Sequence, residues 1–119
     1  MSDSILISVK EDIGFTADYT PFDNKIIRSI NSAMMALWQL GLVGGISKIT
    51  GIAESWSDYI GNEEHLEAVQ SYICGRARKE VDPPTSGAVM QALNEQIREA
   101  EWRISVAVDP SPSNVLRGG

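Results

Sequence analysis

DPPTSGAVMQALNEQIREAEWRISVAV, residues 82–108, decides the fold. Pro83 and Pro84 stop whatever helix precedes them, because proline cannot continue the hydrogen-bond ladder. Ser86 is then placed as an N-cap, and about twenty helix-compatible residues follow without a break. At about 100° per residue, Val89, Leu93, Ile97, Ala100, Ile104 and Ala107 fall in one narrow stripe. The spacing predicts an amphipathic helix over 87–108, packed on a core. Its opposite face carries Gln91, Asn94, Glu95, Arg98, Glu101 and Ser105, with Trp102 in their midst. A large aromatic in that position either meets a partner or lies along its own surface under a loop.

Upstream of the prolines, residues 63–81 form a second helical pattern. Leu66, Val69, Ile73, Ala77 and Val81 make its stripe, with Gln70 and Cys74 beside it and Tyr72 off it. Before that, residues 41–61 break the helical period with five glycines and the β-branched Ile46, Ile49, Thr50 and Ile52. They read as a long irregular loop with room for a short hairpin, closed by a single helical turn at 56–60 that ends at Gly61. A connection of this length is usually functional or mobile.

The next helix outward covers 21–40. Thr20 is its expected cap, Pro21 suits its first turn, and Asp23 favours the helix dipole. Phe22, Ile26, Ile30, Ala33, Met34, Leu37 and Leu40 form the predicted buried stripe, with Ile27 and Trp38 at its edge. Arg28, Asn31, Met35 and Gln39 face away. A short helix over 4–13 carries Ile5, Leu6, Val9 and Ile13 on one side, capped by Ser2, Asp3 or Ser4 and ended by Gly14. Residues 15–20 are a connector. Residues 109–119, DPSPSNVLRGG, hold two prolines and two glycines and read as a flexible C-terminal arm able to order on a partner. The expected fold is all-α: a small helical bundle in one domain over 1–108, with one short and three longer helices.

Composition narrows the function. Hydrophobic residues make up 43% and charged residues 22%, ordinary for a globular chain. No apolar run approaches the ~20 residues that span a bilayer, and the N-terminal segment lacks the basic start of a secretion signal. The lone Cys74 has no partner for an internal disulfide, which points to a reducing cytoplasm or a virion assembled there. The net charge of −6 argues against gripping nucleic acid by its phosphates and suits a wall that DNA slides past.

No catalytic, cofactor or metal site is expected. One histidine, His65, and one cysteine cannot close a zinc site. The glycines at 41, 44 and 45 precede no Gly-Lys-Ser/Thr and are not a phosphate loop. Arg76, Arg78 and Lys79 cluster near a helix C-terminus, where they either complement the dipole or touch a partner.

Several motifs in order resemble the small helical head-tail connector (adaptor, head-completion) proteins of tailed bacteriophages. They are the short N-terminal helix; Asp18-Tyr19-Thr20-Pro21-Phe22-Asp23, with Asn31-Ser32 and Gln39-Leu40-Gly41; Trp56-Ser57-Asp58-Tyr59-Ile60-Gly61; and Asp82-Pro83-Pro84-Thr85-Ser86 leading to Glu95-Gln96-Ile97, Glu99 and Glu101-Trp102-Arg103-Ile104. The resemblance implies a structural virion protein at the head-tail interface, assembled in the host cytoplasm. Such proteins form a homo-oligomeric ring of about twelve copies under the portal protein, joined head-to-tail through two different surfaces. The ring extends the DNA channel and receives a downstream stopper or tail-terminator protein. Double-stranded DNA passes without specific binding, and no membrane is involved. Candidate contact residues are Met35, Tyr72, Arg76, Arg98 and Trp102. A portal-docking role falls to the arm residues Asp109, Pro110, Pro112, Asn114, Val115, Leu116 and Arg117. The competing reading is a small helical DNA-binding regulator. Against it, about twenty residues separate the helices over 21–40 and 63–81 where a tight turn is required, and no helix has a basic reading face.

Overall fold

In a computed structural model that describes residues 3–61 and 63–108, Ser4 opens the first helix. Its Oγ accepts from the Ile7 N–H at 3.3 Å, and α1 runs Ile5–Ile13. Gly14, at φ 114°, makes the left-handed turn that ends it. Ile5, Leu6 and Val9 are buried, as their spacing predicts.

α2 spans Asp23–Gln39, starting later than its sequence signals suggest. The Asp23 N–H donates to the Thr20 carbonyl at 3.1 Å, closing a turn that leaves Thr20 and Pro21 outside the helix. Phe22, not Thr20, stands at the cap, with no side-chain capping bond. The cause lies outside the segment: Lys10 Nζ reaches Asp23 Oδ1 at 2.8 Å and donates to the Ala17 carbonyl at 2.9 Å. That lysine is only 1% exposed, so the pair fixes how the connector enters α2. Phe22 is also not in the buried stripe. It is 40% exposed and stacks on Phe15, with ring centroids 5.5 Å apart, over the connector.

The 41–61 segment makes no hairpin, and no strand occurs among the described residues. Side chains take up backbone groups that a hairpin would have paired. Asn31 Nδ2 donates to the Ile49 carbonyl at 3.0 Å, and the Ile49 N–H donates back to Asn31 Oδ1 at 2.7 Å. The Glu54 carboxylate accepts from the Thr50 N–H, the Thr50 hydroxyl and the Gly51 N–H. An isolated antiparallel bridge joins Ser4 to Ser55, tying the segment to the start of α1. Ser55 caps α3, the single turn Trp56–Tyr59. Trp56 is 2% exposed, and its indole N–H donates to Ser8 Oγ at 2.7 Å, locking the segment onto α1.

α4 (Glu63–Val81) and α5 (Gly87–Val108) have the bounds that the prolines and Ser86 predict. α4 is central, packed along α5 on one flank and along α2 on the other, with α1 also against it. Val69, Ile73 and Ala77 of α4 join Ile26, Ile30, Ala33 and Leu37 of α2 and Ala100 and Ile104 of α5 in the core. Each fully buried aliphatic stabilises the fold by roughly 1.5–3 kcal/mol. Val89 departs from its predicted stripe and is 46% exposed. No helix among the described residues is long and apolar enough to cross a membrane.

The two outer helices run in the same direction. Arg76 Nη2 donates to Ser32 Oγ at 3.3 Å, while the neighbouring Gly75 lies against Ile97. Ser32 of α2 and Ile97 of α5 therefore sit at one height on α4. At the far end, the Val108 side chain lies beside Gly41. Both helices ascend together, antiparallel to α4.

Candidate functional site

A mainly apolar surface groove forms where α2 ends. Gly41, at φ 108°, turns the chain out of the helix, and the Leu42 N–H returns to the Leu37 carbonyl at 3.0 Å. The Gly45 N–H donates to the Tyr59 carbonyl at 2.9 Å, fixing residues 42–47 against α3. The result is a groove of about 430 Å³ lined mainly by Met35, Trp38, Leu42, Val43, Ile46 and Tyr59. Met35 is 55% exposed, Trp38 61% and Val43 80%. Burial pushes the Tyr59 phenol up to about 12, so it lines the groove as a neutral group.

A second apolar feature lies across the molecule, on the face of α5 turned from α4. Trp102 is 65% exposed and Val106, one turn on, is 45% exposed. Arg98 precedes Trp102 by one turn and is exposed. Glu99 and Arg103 pair with each other at 3.1 Å.

The other sequence candidates fare differently. Tyr72 is not a surface residue: it is 3% exposed and belongs to the core. A helix covered on two flanks buries a wider arc than one stripe, and Tyr72 lies in the added part. Its neighbour Arg76 is occupied within the chain. The guanidinium sits over the Tyr72 ring at 5.7 Å, donates to the Tyr72 hydroxyl at 3.1 Å and to Ser32, and approaches Glu80 at 3.7 Å. This cluster staples α4 to α2. Tyr72 and Arg76 are thus brought together, while Met35 and Trp102 are held on opposite flanks. The arm candidates, Asp109, Pro110, Pro112, Asn114, Val115, Leu116 and Arg117, lie outside the described residues.

Sequence reasoning missed Trp38 and Val43 as surface groups. Trp38 follows Met35 by three positions and so shares its face, which is the signal that could have found it. Cys74 is buried, and that burial, aided by the Asp12 carboxylate, pushes its thiol up to about 12. Among the described residues no group of three or more His, Cys, Asp or Glu is placed to hold a metal. The geometry leaves two exposed apolar features, Met35, Trp38 and Val43 at the end of α2 and Trp102 and Val106 on α5.

A family model described as phage connector protein matches residues 5–111. No curated protein and no solved structure matches the chain.

Proposed function

The chain belongs to the phage connector protein family, a structural family, and on that premise we propose that it closes a ring of about twelve copies beneath the portal. The ring extends the channel through which packaged DNA passes and offers its far side to a stopper or tail-terminator protein. The observation that carries this reading is the pair of exposed apolar features on opposite flanks. Met35 and Trp38 stand on α2, and Trp102 and Val106 on α5. A closed ring joined head-to-tail needs two such unlike surfaces on each copy. The net charge of −6 suits a lumen that repels phosphate and lets DNA slide. Residues 109–119, with Val115 and Leu116 as their apolar pair, supply the contact to the portal.

Native mass spectrometry of the chain mixed with the portal ring of the same phage tests the role. Capture of about one copy per portal subunit is the expected result. No capture at micromolar concentration by a folded, helical chain refutes it. Deleting residues 109–119 should abolish capture, and unchanged capture would remove the arm from the portal contact.

A further inference from the structure

We infer that the occupant of the Met35–Trp38–Val43 groove is Trp102 of a second copy of this chain, in a parallel packing of α2 against the neighbour's α5. The inference deepens the ring reading and rests on it. Three observations carry it.

The first is direction. A rotation about a ring axis that runs along the helices turns each copy by about 30° when about twelve close the ring. It does not reverse a helix. Since α2 and α5 ascend together within one copy, α2 must meet the next copy's α5 in parallel.

The second is height. The same rotation leaves heights along the axis unchanged. Ser32 and Ile97 are level, through Arg76 and the adjoining Gly75 of α4, and Gly41 lies level with Val108. Trp102 lies five positions beyond Ile97, and five beyond Ser32 falls between Met35 and Trp38. The neighbour's Trp102 therefore arrives at the groove without any slide along the axis. Val106, a turn higher, faces the Leu42–Val43 wall.

The third is charge. Arg28 precedes Met35 by two turns on the same face of α2, and Glu95 precedes Trp102 by two turns on the same face of α5. Both are exposed, and no ion pair to either occurs among the described residues. Parallel packing brings opposite charges together below the apolar contact. Antiparallel packing would set Glu95 against the groove instead. An indole also fits a groove of about 430 Å³ lined by Met, Trp and Val side chains.

The test uses the full-length chain at high concentration and, separately, seated on the portal ring. Arg28→Cys and Glu95→Cys chains are prepared singly and treated with a short bismaleimide. Cys74 is buried and does not compete. The expected result is a covalent dimer in the mixture of the two variants and none in either alone, because the contact joins unlike surfaces. Trp102→Ala, with unchanged helical content, should weaken self-association by about tenfold or more. Arg28→Glu should weaken it as well, and Arg28→Glu with Glu95→Arg should restore it. If rings form by electron microscopy but the mixture does not cross-link and Trp102→Ala assembles normally, this surface is overturned while the connector role stands. Dimers in either single variant alone would also overturn it. If no multimer forms in solution or on the portal, the ring reading falls and takes this inference with it.

Discussion

Asn31→Ala should unfasten the segment that shapes the groove. The Asn31 amide makes two hydrogen bonds to one residue, accepting from the Ile49 N–H at 2.7 Å and donating to its carbonyl at 3.0 Å. Ile49 is 1% exposed, so water cannot easily replace either bond. A hydrogen bond contributes about 1 kcal/mol net, and a buried group left unpaired costs about 1–3 kcal/mol, so the pair is worth ~2–4 kcal/mol. At about 4 °C per kcal/mol for a domain of this size, thermal unfolding followed by circular dichroism should fall by roughly 8–16 °C. Hydrogen exchange should show the Ile49 amide losing its protection in the native state, since the segment detaches before α2 and α4 do. Asn31→Asp is the sharper control. It keeps the acceptor for the Ile49 N–H but sets a carboxylate oxygen against the Ile49 carbonyl. Its deficit should match or exceed that of alanine at neutral pH, and shrink in acid as the carboxyl gains a proton to donate. A loss below about 2 °C in Asn31→Ala, with the Ile49 amide still protected, would refute the claim that this side chain holds the loop.

Lys10→Met removes the buried cation and leaves the Asp23 carboxylate and the Ala17 carbonyl without it. Asp23 keeps some contact with water, its side chain being 23% exposed, so the cost should be ~2–3 kcal/mol, below the ~3–5 kcal/mol of a fully buried pair; adding Asp23→Asn should recover part of it in denaturant titration. Burial of Cys74 and Tyr59 gives an alkaline limit. The thiol moves from its ordinary 9.0 to about 12 and the phenol from 10.0 to about 12, so both bind protons more tightly folded than unfolded. Stability should be flat in these groups below pH 9, then fall between about 9 and about 12. At pH 8 the thiol should ignore Ellman's reagent until denaturant is added. Gly75→Ala sets a methyl 2.8 Å from Ile97 Cγ1, and the ~1–3 kcal/mol of overpacking should outweigh the ~1 kcal/mol gained in helix propensity. A more stable Gly75→Ala chain would show that α4 and α5 have slack between them.

The parts of the fold that were legible are those set by local chemistry. Asp82-Pro83-Pro84 and Ser86 mark where α4 stops and α5 starts, and the marks act through the backbone of their own segment. The misread parts are set by residues far away in the chain. Thr20 and Pro21 carry good helix-start signals, but Lys10 holds Asp23 and redraws the start. Lys10 itself was invisible, because a periodic reading counts every lysine as solvent-facing. The β-branched residues of 41–61 suggested a hairpin, yet their backbone is claimed by Asn31, eighteen positions before Ile49. Asn31 falls on the outward side of its helix by the same periodicity, which carries no sign of a distant backbone partner. Of the contact candidates, Met35 and Trp102 were legible as large apolar residues opposite a stripe. Tyr72 was not, since its burial depends on α4 having a neighbour on both flanks.

The size of the two apolar features bears on how a ring would assemble. An aromatic buries roughly 150–250 Å² on full contact, so Trp38 and Trp102 with Met35, Val43 and Val106 amount to several hundred Å² per contact. A stable pairwise interface buries about 1,200–2,000 Å² in total. One lateral contact built on these residues is therefore weak, and a pair of chains should separate at working concentrations. Two effects change the balance on a portal. Every copy in a closed ring makes two lateral contacts, and docking places neighbours at a high effective concentration. The ring reading thus predicts a free chain that sediments as a monomer at micromolar concentration and a ring that appears only with the portal. Trp102→Ala should then leave the first copy's docking unchanged while lowering the occupancy of the remaining sites, which native mass spectrometry reads as a shift from filled to partly filled portals. A stable ring of the free chain at micromolar concentration would mean that the lateral surface is larger than these side chains provide.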